Sequence, residues 1–362
     1  MKILYIGQLA DGQTCRMRME ALLEQGHEVC ALDTQKAWDE SSWLSRHLQK
    51  RLFAGPVINR LNETLLQRGH EFRPDLLWCD KQEYLKPETL NTFRRLGITT
   101  VHFTPDPYFT LTWKRTRLMD ACMPLFDCAI TSKQYELDQY RQVCRKVIYM
   151  PLGYCEKVHR PSLPGNSDQQ HEFSSDVAFL GGWEPRREAL LNEVTSLDCV
   201  LKVWGYTWDH LIDGRWTPRR AYRLKTTAGK ARFRIRRNAA LAPTLQGGEI
   251  YGEQYAWALS GARINLGFLR HVCPDQHTTR SFEIPACGSM LLADRTAEHC
   301  EFFEEGKEAE FFSDVAELRE KLCYYLEHED QRKAIATAGR RRCEDSGYSY
   351  QVRMQHLLRQ LF

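Results

Sequence analysis

No run of about 18 apolar residues occurs anywhere in the 362-residue chain, which excludes a helical membrane span. Cysteine is not scarce, but none of the 13 cysteines forms a Cys-x-x-Cys pair, so zinc ribbons and thioredoxin-type redox pairs are excluded. The cysteines are scattered singly from Cys15 to Cys343 and read as small buried hydrophobes in a reducing compartment. The dinucleotide fingerprint GxGxxG is missing, which argues against a nicotinamide cofactor, and no other cofactor is expected. No Asp-x-Asp triplet occurs, and no metal site is expected. A net charge of +3 is too small to point to a nucleic-acid partner. Repeats and low-complexity tracts are absent. The opening "MKILYIGQLADGQ" has too short an apolar stretch for a signal peptide, so the expected location is cytoplasmic.

What is present is an alternation of short apolar runs and amphipathic stretches. "KILYIG", "HEVCALDT", "RPDLLWCDK", "ITTVHFTPD", "MDACMPLFDCAITSK" and "RKVIYMPLG" read as supplying strands, with helical segments between them. Trp43 to about Arg68 reads as helical, interrupted near Gly55-Pro56. This first α/β domain is placed at 1–161. The polar, Pro/Gly-rich residues 162–175 read as a linker. A second series, "DVAFLGG", "CVLKVWG", "ARINLGFL", "SMLLAD" and "EAEFF", places another α/β domain at 176–345. Residues 346–362 read as an amphipathic helix packing back on the first domain. The fold class is thus α/β with two Rossmann-like parallel sheets, whose strand carboxyl ends should meet across a ligand cleft.

Chemistry concentrates at the ends of these strands. In "GQLADGQT", Gly7, Asp11 and Gly12 form a strand-to-helix turn whose amides can meet an anion, or simply a tight turn. In "FLGGWEPRRE", Gly181 and Gly182 let the backbone approach a ligand, while Arg186 and Arg187 either grip phosphate oxygens or face solvent. The stretch "CPDQHTTRSFEIPACGS" sets Asp275, His277, Thr278, Thr279 and Arg280 before a helix whose first turn holds Glu283. Hydroxyls and free amides there suit a phosphate. A carboxylate such as Glu283 suits a ribose diol, its bland alternative being a helix-dipole partner. His102 and Asp106 follow a strand of the first domain and are candidate catalytic groups. Asp80 and Lys81 end another strand, either on the acceptor side or as a buried ion pair. Arg and Lys interleave with Trp216, Tyr222 and Phe233 through 214–238, an insertion that is either a solvated face or a contact for an anionic membrane surface or phosphorylated acceptor.

The segments "DQHTTRSFEIPACGSMLLAD", "EFFEEGKEAEFF", "TVHFTPDPYF", "MPLGYCEKVHRP" and "DVAFLGGWEPRRE" together resemble the CgeB-like, spore-maturation-type glycosyltransferases. These are group 1 glycosyltransferases of GT-B fold. The resemblance implies transfer of a sugar from a nucleoside-diphosphate sugar, a UDP-sugar foremost, to a hydroxyl acceptor, without metal and with retention. It makes Glu283 the ribose ligand. Asp275 takes the donor-sugar position, one methylene shorter than the family's glutamate. His102 would touch the donor sugar; were the enzyme inverting, His102 or Asp106 would be its base. A non-catalytic nucleotide-sugar or glycan-binding protein and a nucleotide-sugar epimerase remain the alternatives.

Overall fold

A computed structural model describes residues 1–112, 115–228 and 233–362. The chain divides into two compact units, Met1–Leu152 with Tyr350–Phe362, and Gly153–Ser349. The division falls before the boundary read from the sequence. The stretch after Leu152 is tied into the second unit, where the Tyr154 amide donates to the Tyr348 carbonyl at 3.3 Å.

The first unit is built on a six-stranded sheet: β1 (Lys2–Gly7), β2 (Glu28–Asp33), β3 (Leu76–Asp80), β4 (Thr99–Thr104), β5 (Cys128–Thr131) and β6 (Val147–Tyr149), in the order β2-β1-β3-β4-β5-β6. Every pairing is parallel. The apolar runs of β1 and β3 are buried throughout because helices cover both faces, as parallel sheets require. The C-terminal helix Tyr350–Leu361 packs on helix Thr14–Glu24 of this unit, where Gln25 Nε2 donates to the Gln351 carbonyl at 2.8 Å.

The second unit carries a five-stranded parallel sheet: β7 (Ser175–Leu180), β8 (Leu201–Trp204), β9 (Ala262–Gly267), β10 (Met290–Asp294) and β11 (Glu310–Phe312), in the order β11-β10-β9-β7-β8. Each unit thus reverses direction between its first and third strands, β1/β3 in one and β7/β9 in the other. Ligands of open α/β sheets bind at the strand carboxyl ends beside such a reversal. Two stretches differ from the sequence reading. The polar linker contains a helix, Ser167–Phe173, started by Asn166 accepting from the Asp168 amide at 2.8 Å. The basic insertion contains helix Pro218–Ala228, while 229–232 of that insertion lie outside the described residues.

Candidate functional site

At the β7/β9 reversal, Gly181 and Gly182 turn the chain into helix Pro185–Val194. The turn is crowded: a Cβ on Gly182 would lie 2.4 Å from the Tyr206 ring, and one on Gly205 would lie 2.0 Å from the Gly181 carbonyl oxygen. Arg187, third in that helix, is buried and points back across the reversal. Its Nη1 donates to the Gly182 carbonyl at 3.0 Å and its Nη2 to the Phe268 carbonyl at 2.9 Å, clasping the loops after β7 and β9. No carboxylate accepts from it in these bonds. Burial first, then the positive fields of Arg280 and Arg270, push its pKa down to about 10, with Glu184 partly offsetting them. Nε of Arg187 and Nε of Arg280 are both buried with no hydrogen-bond partner among the described residues. The positive fields of Arg280 and Arg270 thus reach the buried Arg187 at this strand end, with Glu184 opposing them.

Arg186 has a different place. It pairs with Asp294 at the end of β10, and Asp294 also accepts from the Leu269 amide at 2.7 Å. That arginine is used to shape the loop after β9. Glu184 holds the same loop by accepting from the His271 amide at 3.1 Å.

The stretch from Asp275 to Glu283 is fixed from beneath. His277 is buried against Phe302 and Phe282 and pairs with Glu298. The Thr278 amide donates to Ser281 Oγ at 3.0 Å, Ser281 Oγ lies 2.7 Å from His299 Nε2, and His299 Nδ1 lies 2.7 Å from the Asp294 carbonyl. The Asp294 carbonyl requires a proton on His299 Nδ1, and with a neutral ring Nε2 accepts from the Ser281 hydroxyl. Burial pushes its pKa down to about 4, in agreement. Thr279 caps helix Arg280–Ala286 through its backbone, its carbonyl accepting from the Glu283 amide at 2.9 Å. Asp275 is largely buried and accepts from the Cys273 thiol at 3.2 Å.

Glu283 is only 4% exposed. Tyr255 donates to its Oε2 at 2.6 Å, and His159 Nε2 stands 3.7 Å from its Oε1. The Cys155 amide donates to His159 Nδ1 at 2.9 Å, which leaves the imidazole proton on Nε2, facing the carboxylate. Burial lowers the His159 pKa against the opposing pull of Glu283, and at 3.7 Å the ring faces the carboxylate without a hydrogen bond. His159, Tyr255, Arg270 and Ser281 were not singled out from the sequence, although His159 lies in the quoted "MPLGYCEKVHRP".

The first unit fills its own reversal differently. Arg18, on helix Thr14–Glu24, is buried beneath Gly7 and bonds both oxygens of Asp80, at 2.8 and 2.9 Å, while Tyr5 donates to Asp80 at 2.6 Å. The charges cancel, and the guanidinium stacks on Phe103 and Tyr350 at 4.5 and 5.4 Å. Asp80 is thus a buried ion-pair member, held ionised below its usual range by Arg18 against burial. Asp11 pairs with Arg16 at the surface, and Gly12 adopts φ +79°. Lys81, itself at φ +51°, places Nζ 2.6 Å from Asp106. These two charged groups do come together, in the turn after β3 and β4. His102 does not join them: it is 1% exposed, packs on Phe126 at 5.1 Å, and sits 3.3 Å from the Gln82 carbonyl. A small polar cavity of about 110 Å³ opens at the ends of β1–β3, lined by Gln8, Thr34, Trp38, Lys50 and Lys81 among others.

Residues 186–359 match the family model described as glycosyl transferase-like. The chain is similar in structure to sucrose-phosphate synthase from Thermosynechococcus elongatus, with TM-score 0.64 and 14% identity, covering 100% of this chain and 99% of the other. It is similar to Anabaena HepE in complex with UDP-glucose, with TM-score 0.60 and 12% identity over 100% and 99% of the two chains. It is also similar to a putative UDP-N-acetylglucosamine 2-epimerase from Listeria monocytogenes, with TM-score 0.54 and 11% identity over 99% and 94%. No curated protein matches the chain in sequence. Two parallel-sheet units with these relatives in structure define a GT-B fold, and the family match spans most of the second unit and runs into the C-terminal helix.

Proposed function

We propose that the protein is a CgeB-like glycosyltransferase that moves a sugar from a nucleoside-diphosphate sugar to a hydroxyl acceptor. The observation that carries this reading is the contrast between the two strand reversals. Arg18 is neutralised by Asp80, whereas Arg187 bonds carbonyl oxygens and feels the positive fields of Arg280 and Arg270 against that of Glu184. A buried excess of positive charge is unfavourable until an anion arrives. A diphosphate supplies that anion, and charge-assisted bonds to it are the strong ones.

In the proposed reaction the bond between the anomeric carbon and the diphosphate oxygen breaks, and its electron pair leaves with the diphosphate. Arg187, Arg270 and Arg280 stabilise the growing charge with Gly181, Gly182, Thr278 and Thr279 around them, a role that needs no metal. Glu283, aimed by Tyr255 and His159, accepts from the ribose hydroxyls. Asp275 faces the donor sugar. The acceptor oxygen forms the new bond, and its proton passes to the departing phosphate, which gives retention. Gly7, Gly12 and the Lys81–Asp106 pair serve the acceptor side, and the basic stretch 214–238 serves an anionic partner. His102 acts from the interior by holding the Gln82 carbonyl. UDP-glucose in the HepE structure favours a UDP-sugar as donor.

The test is Glu283→Gln, which keeps the volume and the acceptor for Tyr255. Calorimetric affinity for the preferred nucleotide, chosen from a thermal-shift screen of nucleoside diphosphates, should fall roughly 10–100-fold, the worth of charged hydrogen bonds. Unchanged affinity removes the ribose assignment. The structural likeness to a UDP-N-acetylglucosamine 2-epimerase keeps a second reading open. An epimerase consumes the donor with no acceptor present, and a transferase does not.

A further inference from the structure

Helix Trp43–Leu52, in the first unit, is turned inside out. Trp43, Leu44, Leu48 and Leu52 are 72, 62, 52 and 68% exposed, while Gln49 is buried. Leu44, Leu48 and Leu52 recur at four-residue spacing, so they form one stripe along a single face, with Trp43 beside it. Helices of globular proteins bury such a stripe; here it is left exposed.

The charge around the stripe is one-sided. The helix holds Arg46, His47, Lys50 and Arg51 and no acid; Lys50 lies on the inner side over Trp38, where Glu83 acts on it, which leaves His47 and Arg51 towards the stripe. The nearby acids Asp39 and Glu40 are already opposed, by Arg46 at 3.8 Å and Arg60 at 3.7 Å. Arg51 has no carboxylate within ion-pair distance among the described residues. Lys36 adds a further exposed cation on the preceding helix, Thr34–Asp39. A second copy of this face would bring cation against cation across a two-fold axis. A surface that is apolar within and anionic at its boundary complements both features at once. Leucine and tryptophan enter the headgroup boundary of a bilayer, and lysine and arginine attract acidic headgroups.

We propose that helix Trp43–Leu52 docks the first unit on the surface of an anionic lipid bilayer. The inner side of the same helix reaches the polar cavity at the ends of β1–β3, since Lys50 lines it beside Gln8 and Lys81. Docking therefore sets this strand-end cavity close to the lipid headgroups. The proposal stands on the helix alone and does not depend on the glycosyl-transfer reading.

The experiment is co-sedimentation of the full chain with vesicles of phosphatidylcholine alone and with about one third phosphatidylglycerol, at low and high salt. Expected is binding to the anionic vesicles that weakens with salt. In a Leu44→Ser/Leu48→Ser variant the partition coefficient should fall at least roughly tenfold, since each leucine side chain taken from water carries a large share of interfacial affinity. Arg51→Glu should lower it about fivefold, from about 1 kcal/mol per basic residue near such a surface. These side chains are exposed, so the variants keep their thermal unfolding, which is measured alongside. Failure of the wild-type chain to bind anionic vesicles overturns the proposal, as does undiminished binding by the double variant. Light scattering that shows a dimer in wild type and a monomer in the double variant, without vesicle binding, assigns the face to a second copy instead.

Discussion

Arg18 and Arg187 hold comparable places, each buried on the helix after the first strand of its sheet and each bonded at the strand reversal. Their partners differ, and the difference is measurable. Removing the countercharge in the first unit by Asp80→Asn leaves Arg18 buried and unbalanced, which costs about 3–5 kcal/mol of stability. Urea unfolding should show that loss. Removing the guanidinium in the second unit by Arg187→Met gives up two bonds to carbonyls but also a buried charge, so its stability loss should be clearly smaller. Its effect belongs in binding: affinity for a nucleoside diphosphate should drop about 10–100-fold by calorimetry. A variant that binds as the wild type does would mean that the anion lies elsewhere.

The elements were largely legible because their signals are local. All eleven strands coincide with short apolar runs bounded by Gly, Pro or polar turns, and the break at Gly55-Pro56 does separate helix Trp43–Leu52 from helix Pro56–Phe72. Helix Ser167–Phe173 was not legible, since "SDQQHEF" carries one apolar anchor. Phe173 earns its place only through Trp204 and Trp257, at 6.2 and 5.6 Å, which the sequence does not bring together. The candidate site divides in the same way. Arg187 and Glu283 stand in contiguous motifs and could be named, whereas His159, Tyr255 and Arg270 reach their neighbours through tertiary packing. His102 shows the limit of reading a strand end: both faces of a parallel sheet are covered, so a side chain two residues before the end of β4 enters a layer and not the turn. The turn after β8 makes a prediction at this scale. Gly205 has φ +148° and its backbone presses on the Gly181 carbonyl. Gly205→Ala should cost about 1–3 kcal/mol in strain and weaken nucleotide binding with it, because the displaced atoms belong to the Gly181–Gly182 turn. Urea unfolding and calorimetry on the one variant check both halves of that statement.

For the molecule as a whole, each unit carries a histidine whose pKa burial pushes down to about 4, and acid should act on both. His102 in the first unit and His299 in the second are fully buried, and burial pushes each from the ordinary 6.5 down to about 4. Between those values the unfolded chain binds a proton that the native chain refuses. Native stability therefore rises with pH across this window and is lost on acidification from about 6.5 towards 4. A shift of this size corresponds to about 3 kcal/mol for each histidine, all of it a penalty that neutral pH removes. Two-unit chains need not unfold in one step, so the penalties are separable. His102→Gln keeps a donor for the Gln82 carbonyl but cannot be protonated, and should flatten the acid limb of the first unit's transition alone. His299→Gln should reduce that limb in the second unit, where burial also lowers the pKa of His159 and His210, and it gives up the link to Ser281. Urea titrations at pH 7 and pH 5, followed separately in each unit by a fluorophore attached to an exposed engineered cysteine, resolve the two limbs. If both variants keep the wild-type slope between those pH values, neither histidine is neutral in the native protein, and the Ser281–His299 bond runs from the ring to the hydroxyl.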